Sequence, residues 1–86
     1  MATYEIYGTS NCNFCERAKN LLGEYNLDYA FIDVAEDEDI TAAFFKKFSN
    51  VKTVPQIMYE GLDRGYNVHI GGYKELKKWL NHTEGA

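Results

Sequence analysis

A pair of cysteines, Cys12 and Cys15, is the feature of this sequence that most constrains its fold, because it lies where an extended segment turns into a helix. Before the pair, Thr3 to Tyr7 alternates and is rich in β-forming side chains, and Gly8 begins a segment of turn and capping residues. After the pair, apolar residues recur at helical spacing. The first sulfur is therefore expected at a helix N-terminus, where unpaired amides and the helix dipole favour the nucleophilic thiolate.

The spacing of the pair suggests what the two sulfurs can do together. Residues three positions apart lie on one turn of a helix, close enough for a reversible disulfide. We therefore hypothesise a redox centre in which Cys12 attacks and Cys15 resolves the intermediate. A zinc site is a less favoured alternative, because the remaining candidate ligands, His69 and His82, do not form a paired motif. An inert buried pair is the other alternative.

Length and charge limit the classes of function. A chain of 86 residues predicts a single domain, 1–86, with one modest core. A net charge of −4, with no block of like charges, argues against nucleic acid as a partner. No apolar run approaches the roughly 20 residues of a membrane span, and the first residues carry no signal pattern, so we expect no membrane partner and a cytoplasmic location. In that reducing compartment, two neighbouring cysteines are better interpreted as catalytic or metal-binding than as a structural staple.

Hydrophobic periodicity predicts seven elements in the order βαβαββα. The expected strands are 1–8, 29–34, 54–59 and 68–70, and the expected helices are 13–25, a segment that follows the acidic cluster 36–39, and 73–81. Strand, helix, strand implies a parallel unit, and the last two strands form a hairpin. We therefore predict an α/β protein with a mixed four-stranded sheet flanked by helices on both faces.

Two local patterns refine this prediction. Residues 29–34 form a nearly continuous apolar run, which is typical of a strand covered on both faces. The acidic cluster 36–39 precedes a helix that ends near Lys46 and Lys47. Negative charge at the start and positive charge at the end of the helix both interact favourably with its dipole. We interpret the cluster as a solvated cap and first turn.

Three blocks of the sequence carry a resemblance to a known family that covers nearly the whole chain. They are Gly8 to Lys19, Thr53 to Ile57, and Ile70 to Tyr73. In this order and at these distances, they resemble a glutaredoxin of the thioredoxin-like fold. Each block alone would be weak evidence, whereas the three together are specific.

The resemblance implies roles for the first two blocks. Cys12 would attack a glutathione mixed disulfide or a protein disulfide, and Cys15 would resolve the enzyme-bound intermediate. Pro55 corresponds to the cis-proline of the family, which leaves the backbone of Val54 open to a peptide such as glutathione. Thr53 and Val54 would thus hold the cysteinyl part of glutathione.

The third block and one aromatic residue complete the implied glutathione site. Gly72 permits close approach of backbone and ligand. The start of the last helix, at Tyr73, Lys74 and Glu75, would present amides to a glutathione carboxylate. Phe14 lies where the family commonly has tyrosine, so it retains the aromatic wall without the hydroxyl.

The activity that the resemblance implies is glutathione-dependent thiol–disulfide exchange. The protein would reduce protein disulfides and glutathione mixed disulfides, two glutathiones would restore its dithiol, and no metal would be required. Its partners would be glutathione and disulfide-containing or glutathionylated proteins, with ribonucleotide reductase as a client implied only by the family. We expect a monomer.

The sequence departs from the family pattern at three places, and two other functions stay open. Asn13 replaces the usual proline, Thr9 lies where a basic residue often stands, and the connection 60–67 looks longer, which we interpret as a surface insertion. One alternative is a small thioredoxin reduced by a reductase protein. The other is a carrier in which Cys12 from each of two chains and two glutathiones hold a [2Fe–2S] cluster, as in some family members that lack the motif proline.

Three further residues are interpreted as structural. Tyr7 precedes the cysteine turn, but a tyrosine that ends a strand is more often at the edge of the core. Trp79 is expected to pack on the sheet. His69 is expected to be structural or exposed rather than a base, because thiol exchange needs no histidine when a helix lowers the thiol pKa.

Overall fold

The computed structural model describes residues 3–49, 53–61 and 66–84, and these contain seven elements in the predicted order βαβαββα. The strands and helices, in chain order, are β1 (Thr3–Gly8), α1 (Asn13–Glu24), β2 (Tyr29–Asp33), α2 (Glu38–Lys47), β3 (Gln56–Gly61), β4 (Tyr66–Gly71) and α3 (Tyr73–Thr83). The connection 60–67, expected as a longer surface insertion, is shorter than predicted, because β3 extends to Gly61 and β4 begins at Tyr66; residues 62–65 lie outside the described residues.

The four strands form one mixed sheet, as predicted, and their order across the sheet is β2-β1-β3-β4. Strand β1 is parallel to β2 and antiparallel to β3, and β3 is antiparallel to β4. The β3–β4 register shifts, because Ile57 pairs with Gly71 while Met58 pairs with His69, which leaves Ile70 as an extra residue. This bulge positions His69 across from Met58.

Helices α1 and α3 pack on one face of the sheet. Their buried leucines and Ala18 enclose the side chains that β1 and β3 direct to this face. The core consists of Tyr4, Ile6, Ala18, Leu22, Ile57, Leu76 and Leu80. Trp79 packs against the edge of this core, as expected. The Nε1 of Trp79 donates a hydrogen bond to the Tyr4 hydroxyl at 3.0 Å.

Helix α2 covers the opposite face. Phe44 and Phe48 are buried with Val34, and Tyr7, Val54 and Met58 pack against them. The ring of Tyr7 lies 5.1 Å from that of Phe48, which confirms the packing role expected for Tyr7. Burial, reinforced by the nearby Glu5 carboxylate, raises the pKa of the Tyr7 phenol to about 12.

The prediction that residues 29–34 are covered on both faces is wrong for the first two residues, whereas the end of the run packs against the clusters on both faces. Strand β2 forms an edge of the sheet, and Tyr29, with 38% of its surface exposed, and Ala30 both face solvent. An apolar run alone does not distinguish a central strand from an edge strand. Strand β3 begins at Gln56 rather than 54, since Pro55 has no amide proton to give a neighbouring strand.

The charged ends of α2 agree with the prediction. Asp37 caps the helix, and its Oδ1 accepts a hydrogen bond from the Ile40 amide at 2.9 Å. Acidic residues occupy the first turn, and Lys46 and Lys47 occupy the last. In the described parts of the chain, no helix is long and apolar enough to cross a membrane.

Candidate active site

Cys12 caps the N-terminus of α1, as its place in the sequence predicted. Its Sγ accepts a hydrogen bond from the Cys15 amide at 3.1 Å, and the two sulfurs are joined in a disulfide with their Cα atoms 5.1 Å apart. Cys15 is fully buried, whereas Cys12 is partly exposed. A partner molecule therefore reaches Cys12 first, and in the reduced protein the same amide and the helix N-terminus would stabilise a Cys12 thiolate.

Gly8 provides the space in which Cys15 lies. A Cβ built on Gly8 would overlap Cys15 Sγ and would approach Cε1 of Phe31 to 3.2 Å. The turn that the sequence predicts at Gly8 does not reveal this second role. Its place on the buried face of β1, in line with Tyr4 and Ile6, was the available signal.

A cleft of about 300 Å³ lies beside the helix that carries the cysteines. The structure brings around it all the residues that the family resemblance assigned to glutathione binding. They are Phe14, Thr53, Val54, Pro55, Gly72, Tyr73, Lys74 and Glu75. Neither cysteine lines the cleft, but Phe14, which lies between them in sequence, does. That this cleft binds glutathione stays a prediction.

The segment Thr53 to Pro55 forms one side of the cleft. The Val54–Pro55 peptide bond is cis, in agreement with the family pattern, and Pro55 is buried. Behind the segment, Gln56 Nε2 donates hydrogen bonds to the carbonyl oxygen and to Oγ1 of Thr53, at 3.1 and 3.2 Å. On this side of the cleft, the backbone of the segment is therefore held in place by the buried Gln56 side chain.

The N-terminus of α3 forms the other side. Gly72 is its N-cap residue, and the amide of Gly72 donates a hydrogen bond to Glu75 Oε1 at 2.9 Å. Gly71 has a φ of +120°, a conformation that favours glycine. The first-turn amides have no acceptor within their own helix, and Lys74 lines the cleft at this end. An anionic group, such as a carboxylate, suits this end of the cleft.

An aromatic wall joins the cleft to the cysteine turn. Phe14 is 52% exposed, and its ring centroid lies 5.9 Å from that of Tyr73. The guanidinium carbon of Arg17 lies 5.1 Å from the centroid of the Phe14 ring. Arg17 is thus available near the site, whereas Lys19 forms an ion pair with Glu16 at 3.0 Å.

Metal ligands do not gather elsewhere in the part of the chain that the structure describes. Within 3–49, 53–61 and 66–84, no group of three or more His, Cys, Asp and Glu residues lies close enough to hold an ion.

Known proteins similar to this chain are glutaredoxins. A family model described as Glutaredoxin matches residues 4–62. The Glutaredoxin 1 of Rickettsia felis is 38% identical over 75 residues, which cover 86% of this chain and 68% of that protein. Reduced Escherichia coli glutaredoxin superimposes with a TM-score of 0.72 at 29% identity and covers 98% of this chain and 99% of its own. A buckwheat glutaredoxin–glutathione complex gives a TM-score of 0.66 at 25% identity, over 95% of this chain and 69% of that one.

Proposed function

The chain belongs to the glutaredoxin family of thiol–disulfide oxidoreductases, and on that premise we propose that it reduces glutathione mixed disulfides and protein disulfides with glutathione as the electron donor. The observation that carries this proposal is the cleft beside α1, which joins an aromatic wall, a stretch of backbone and a helix N-terminus. These are features that a short anionic peptide requires.

The cysteines carry out the exchange. With a glutathionylated protein, the Cys12 thiolate attacks the sulfur of glutathione, so that a Cys12–glutathione disulfide forms and the protein leaves as a thiolate. A second glutathione thiolate then attacks this disulfide, which releases oxidised glutathione and restores Cys12. The Cys15 amide, 3.1 Å from Cys12 Sγ, stabilises the charge on that sulfur whenever it is a thiolate.

A protein disulfide requires the second cysteine. Cys12 attacks one client sulfur and forms a mixed disulfide, while the other client sulfur leaves as a thiolate. Cys15 then attacks Cys12 Sγ, which releases the reduced client and forms the Cys12–Cys15 disulfide. Two glutathiones reduce that disulfide and are themselves oxidised.

The cleft suits glutathione at both of its sides. The cysteinyl part of the tripeptide would lie along Val54, whose backbone can hydrogen-bond a peptide in the manner of an added strand. One glutathione carboxylate would lie at the N-terminus of α3, near Lys74. The buckwheat family member solved in complex with glutathione supports this assignment.

We further propose that the protein acts in the cytoplasm, where the reducing environment keeps the pair as a dithiol, and that ribonucleotide reductase is one of its clients. The basis for this client is the family resemblance. Purified oxidised ribonucleotide reductase, with glutathione and glutathione reductase, provides a direct test of this client.

A glutathione-coupled assay tests the proposed activity. Reduction of a glutathione mixed disulfide is followed for the wild type and for the Cys12→Ser and Cys15→Ser variants. We expect Cys12→Ser to abolish turnover and Cys15→Ser to retain part of it, since the second cysteine is needed only for protein disulfides. Turnover with a thioredoxin reductase but not with glutathione would replace the proposal with the thioredoxin alternative.

A further inference from the structure

A buried glutamine lies directly behind the glutathione cleft. Gln56 is 4% exposed and is the one buried polar side chain among the described residues. Its Nε2 lies 3.1 Å from the carbonyl oxygen of Thr53 and 3.2 Å from Thr53 Oγ1. A carbonyl oxygen only accepts, so the nitrogen of the amide must face Thr53 and its oxygen must face away.

The oxygen of that amide meets a histidine on the neighbouring strand. Gln56 Oε1 lies 2.7 Å from His69 Nε2. Because an amide oxygen is an acceptor, His69 Nε2 must carry a proton, and the neutral ring is therefore the Nε2–H tautomer. The ring centroid of His69 lies 4.7 Å from that of Phe48, which is buried under α2.

These contacts form a relay with one direction. His69 donates to Gln56, and Gln56 donates twice to Thr53. The β-bulge at Ile70 positions the histidine across from Met58 and diagonal to Gln56 on the same face of the sheet, where the His69 residue itself is exposed. Among the described residues, Thr53 and His69 are the hydrogen-bond partners of the Gln56 side chain, so these two residues together hold the orientation of its amide.

We propose that His69 is a positioning residue, which acts through Gln56 to hold the Thr53–Val54 segment in the conformation that binds glutathione. The effect on binding rests on the proposed function, whereas the relay itself does not. Loss of the His69 donor would leave Gln56 Oε1 as a buried acceptor without its partner, and the amide would then be held at its Thr53 end only. The cysteines lie on α1 and would not be displaced.

Two substitutions separate the hydrogen bond from the ring contact. His69→Phe keeps an aromatic ring against Phe48 and removes the donor. His69→Gln restores an N–H that can reach Gln56. We expect His69→Phe to raise the KM for a glutathione mixed disulfide about fivefold, the factor expected for one lost hydrogen bond, with kcat unchanged. We expect His69→Gln to recover most of that loss.

Asn67→Ala provides the matched control, because Asn67 is exposed on the same strand, two positions before His69. It should leave KM and kcat at their wild-type values. An unchanged KM in His69→Phe, or an equal loss in His69→Gln, would overturn the proposal. A fall in kcat at constant KM would also contradict it, since that would place the effect on the chemical step.

Nuclear magnetic resonance tests the relay without any assay of activity. When the imidazole of His69 is uncharged, its ¹⁵N chemical shifts should show a protonated Nε2 and an unprotonated Nδ1. The exposed His82 provides an internal reference. The amide resonances of Thr53 and Val54 should shift in His69→Phe and return in His69→Gln. A protonated Nδ1, or unshifted Thr53 and Val54 resonances, would refute the relay even if the protein reduces glutathione mixed disulfides. If the wild-type protein does not reduce glutathione mixed disulfides, the proposed function is refuted. The Thr53 and Val54 resonances would still show whether the relay exists.

Discussion

The substitution Gly8→Ala tests how tightly the buried cysteine is packed. The added Cβ would overlap Cys15 Sγ, and it would also lie 3.3 Å from Cys15 Cβ and 3.2 Å from Cε1 of Phe31. Gly8 does not have the positive φ that disfavours alanine, so the expected cost is steric. Overpacking of one methyl group in a close-packed core typically costs about 1–3 kcal/mol, and we expect a loss of unfolding free energy in this range.

Gly23→Ala is the matched control for this substitution. Gly23 lies in α1, and a Cβ built there meets nothing within 4 Å. Alanine in a helix is favoured over glycine by about 1 kcal/mol, so Gly23→Ala should stabilise the protein or leave it unchanged. Denaturant unfolding of both variants under reducing conditions measures the difference.

A double-mutant cycle with Cys15→Ala identifies the atom responsible. Removing Cys15 Sγ relieves the closest overlap, so the cost of Gly8→Ala should fall by more than half in the Cys15→Ala background. In the single variant, the displaced Cys15 should slow reduction of protein disulfides more than that of glutathione mixed disulfides. If Gly8→Ala costs the same in both backgrounds, or nothing in either, the account of Gly8 is wrong.

Three further predictions concern the cleft and the two cores. Lys74→Ala should raise the KM for a glutathione mixed disulfide a few-fold, and the difference from wild type should shrink as salt is added. Trp79→Phe should lower the unfolding free energy by about 1–2 kcal/mol in a denaturant titration, since the Tyr4 hydroxyl loses the donor that lies 3.0 Å away. The pKa of Tyr7 is about 12 in the folded protein and about 10 in an unfolded chain, so the free energy of unfolding should fall as the pH rises from about 10 to about 12. Tyr7→Phe should make this fall smaller in thermal unfolding measured across the same pH range.

Much of the site follows from local sequence patterns. The alternation in β1 predicts that Tyr4, Ile6 and Gly8 lie on one side of the strand, and the structure shows that this side is buried. Turn and capping residues correctly place Cys12 at the start of α1. Each strand and helix that carries one of the three blocks is recognisable from its own stretch of sequence. Their order along the chain is therefore enough to predict a mixed sheet.

The features that the sequence did not reveal depend on contacts between distant residues. The hydrogen bond between Gln56 and His69 joins two strands and depends on the bulge at Ile70. No local sequence pattern predicts this bulge. The close approach of Gly8 to Cys15 is visible only when α1 is packed on β1. The exposure of β2 likewise depends on strand order, since the same apolar run suits a central strand.

The most direct test of the central claim is to map where glutathione lies when it is joined to Cys12. In Cys15→Ser, the glutathione adduct on Cys12 cannot be displaced by the second cysteine and can be studied by amide chemical-shift mapping. We predict that adduct formation perturbs Val54 and the first turn of α3, from Tyr73 to Glu75, most strongly. Failure of Cys12 to form the adduct, or perturbations confined to surfaces away from this cleft, would contradict the account.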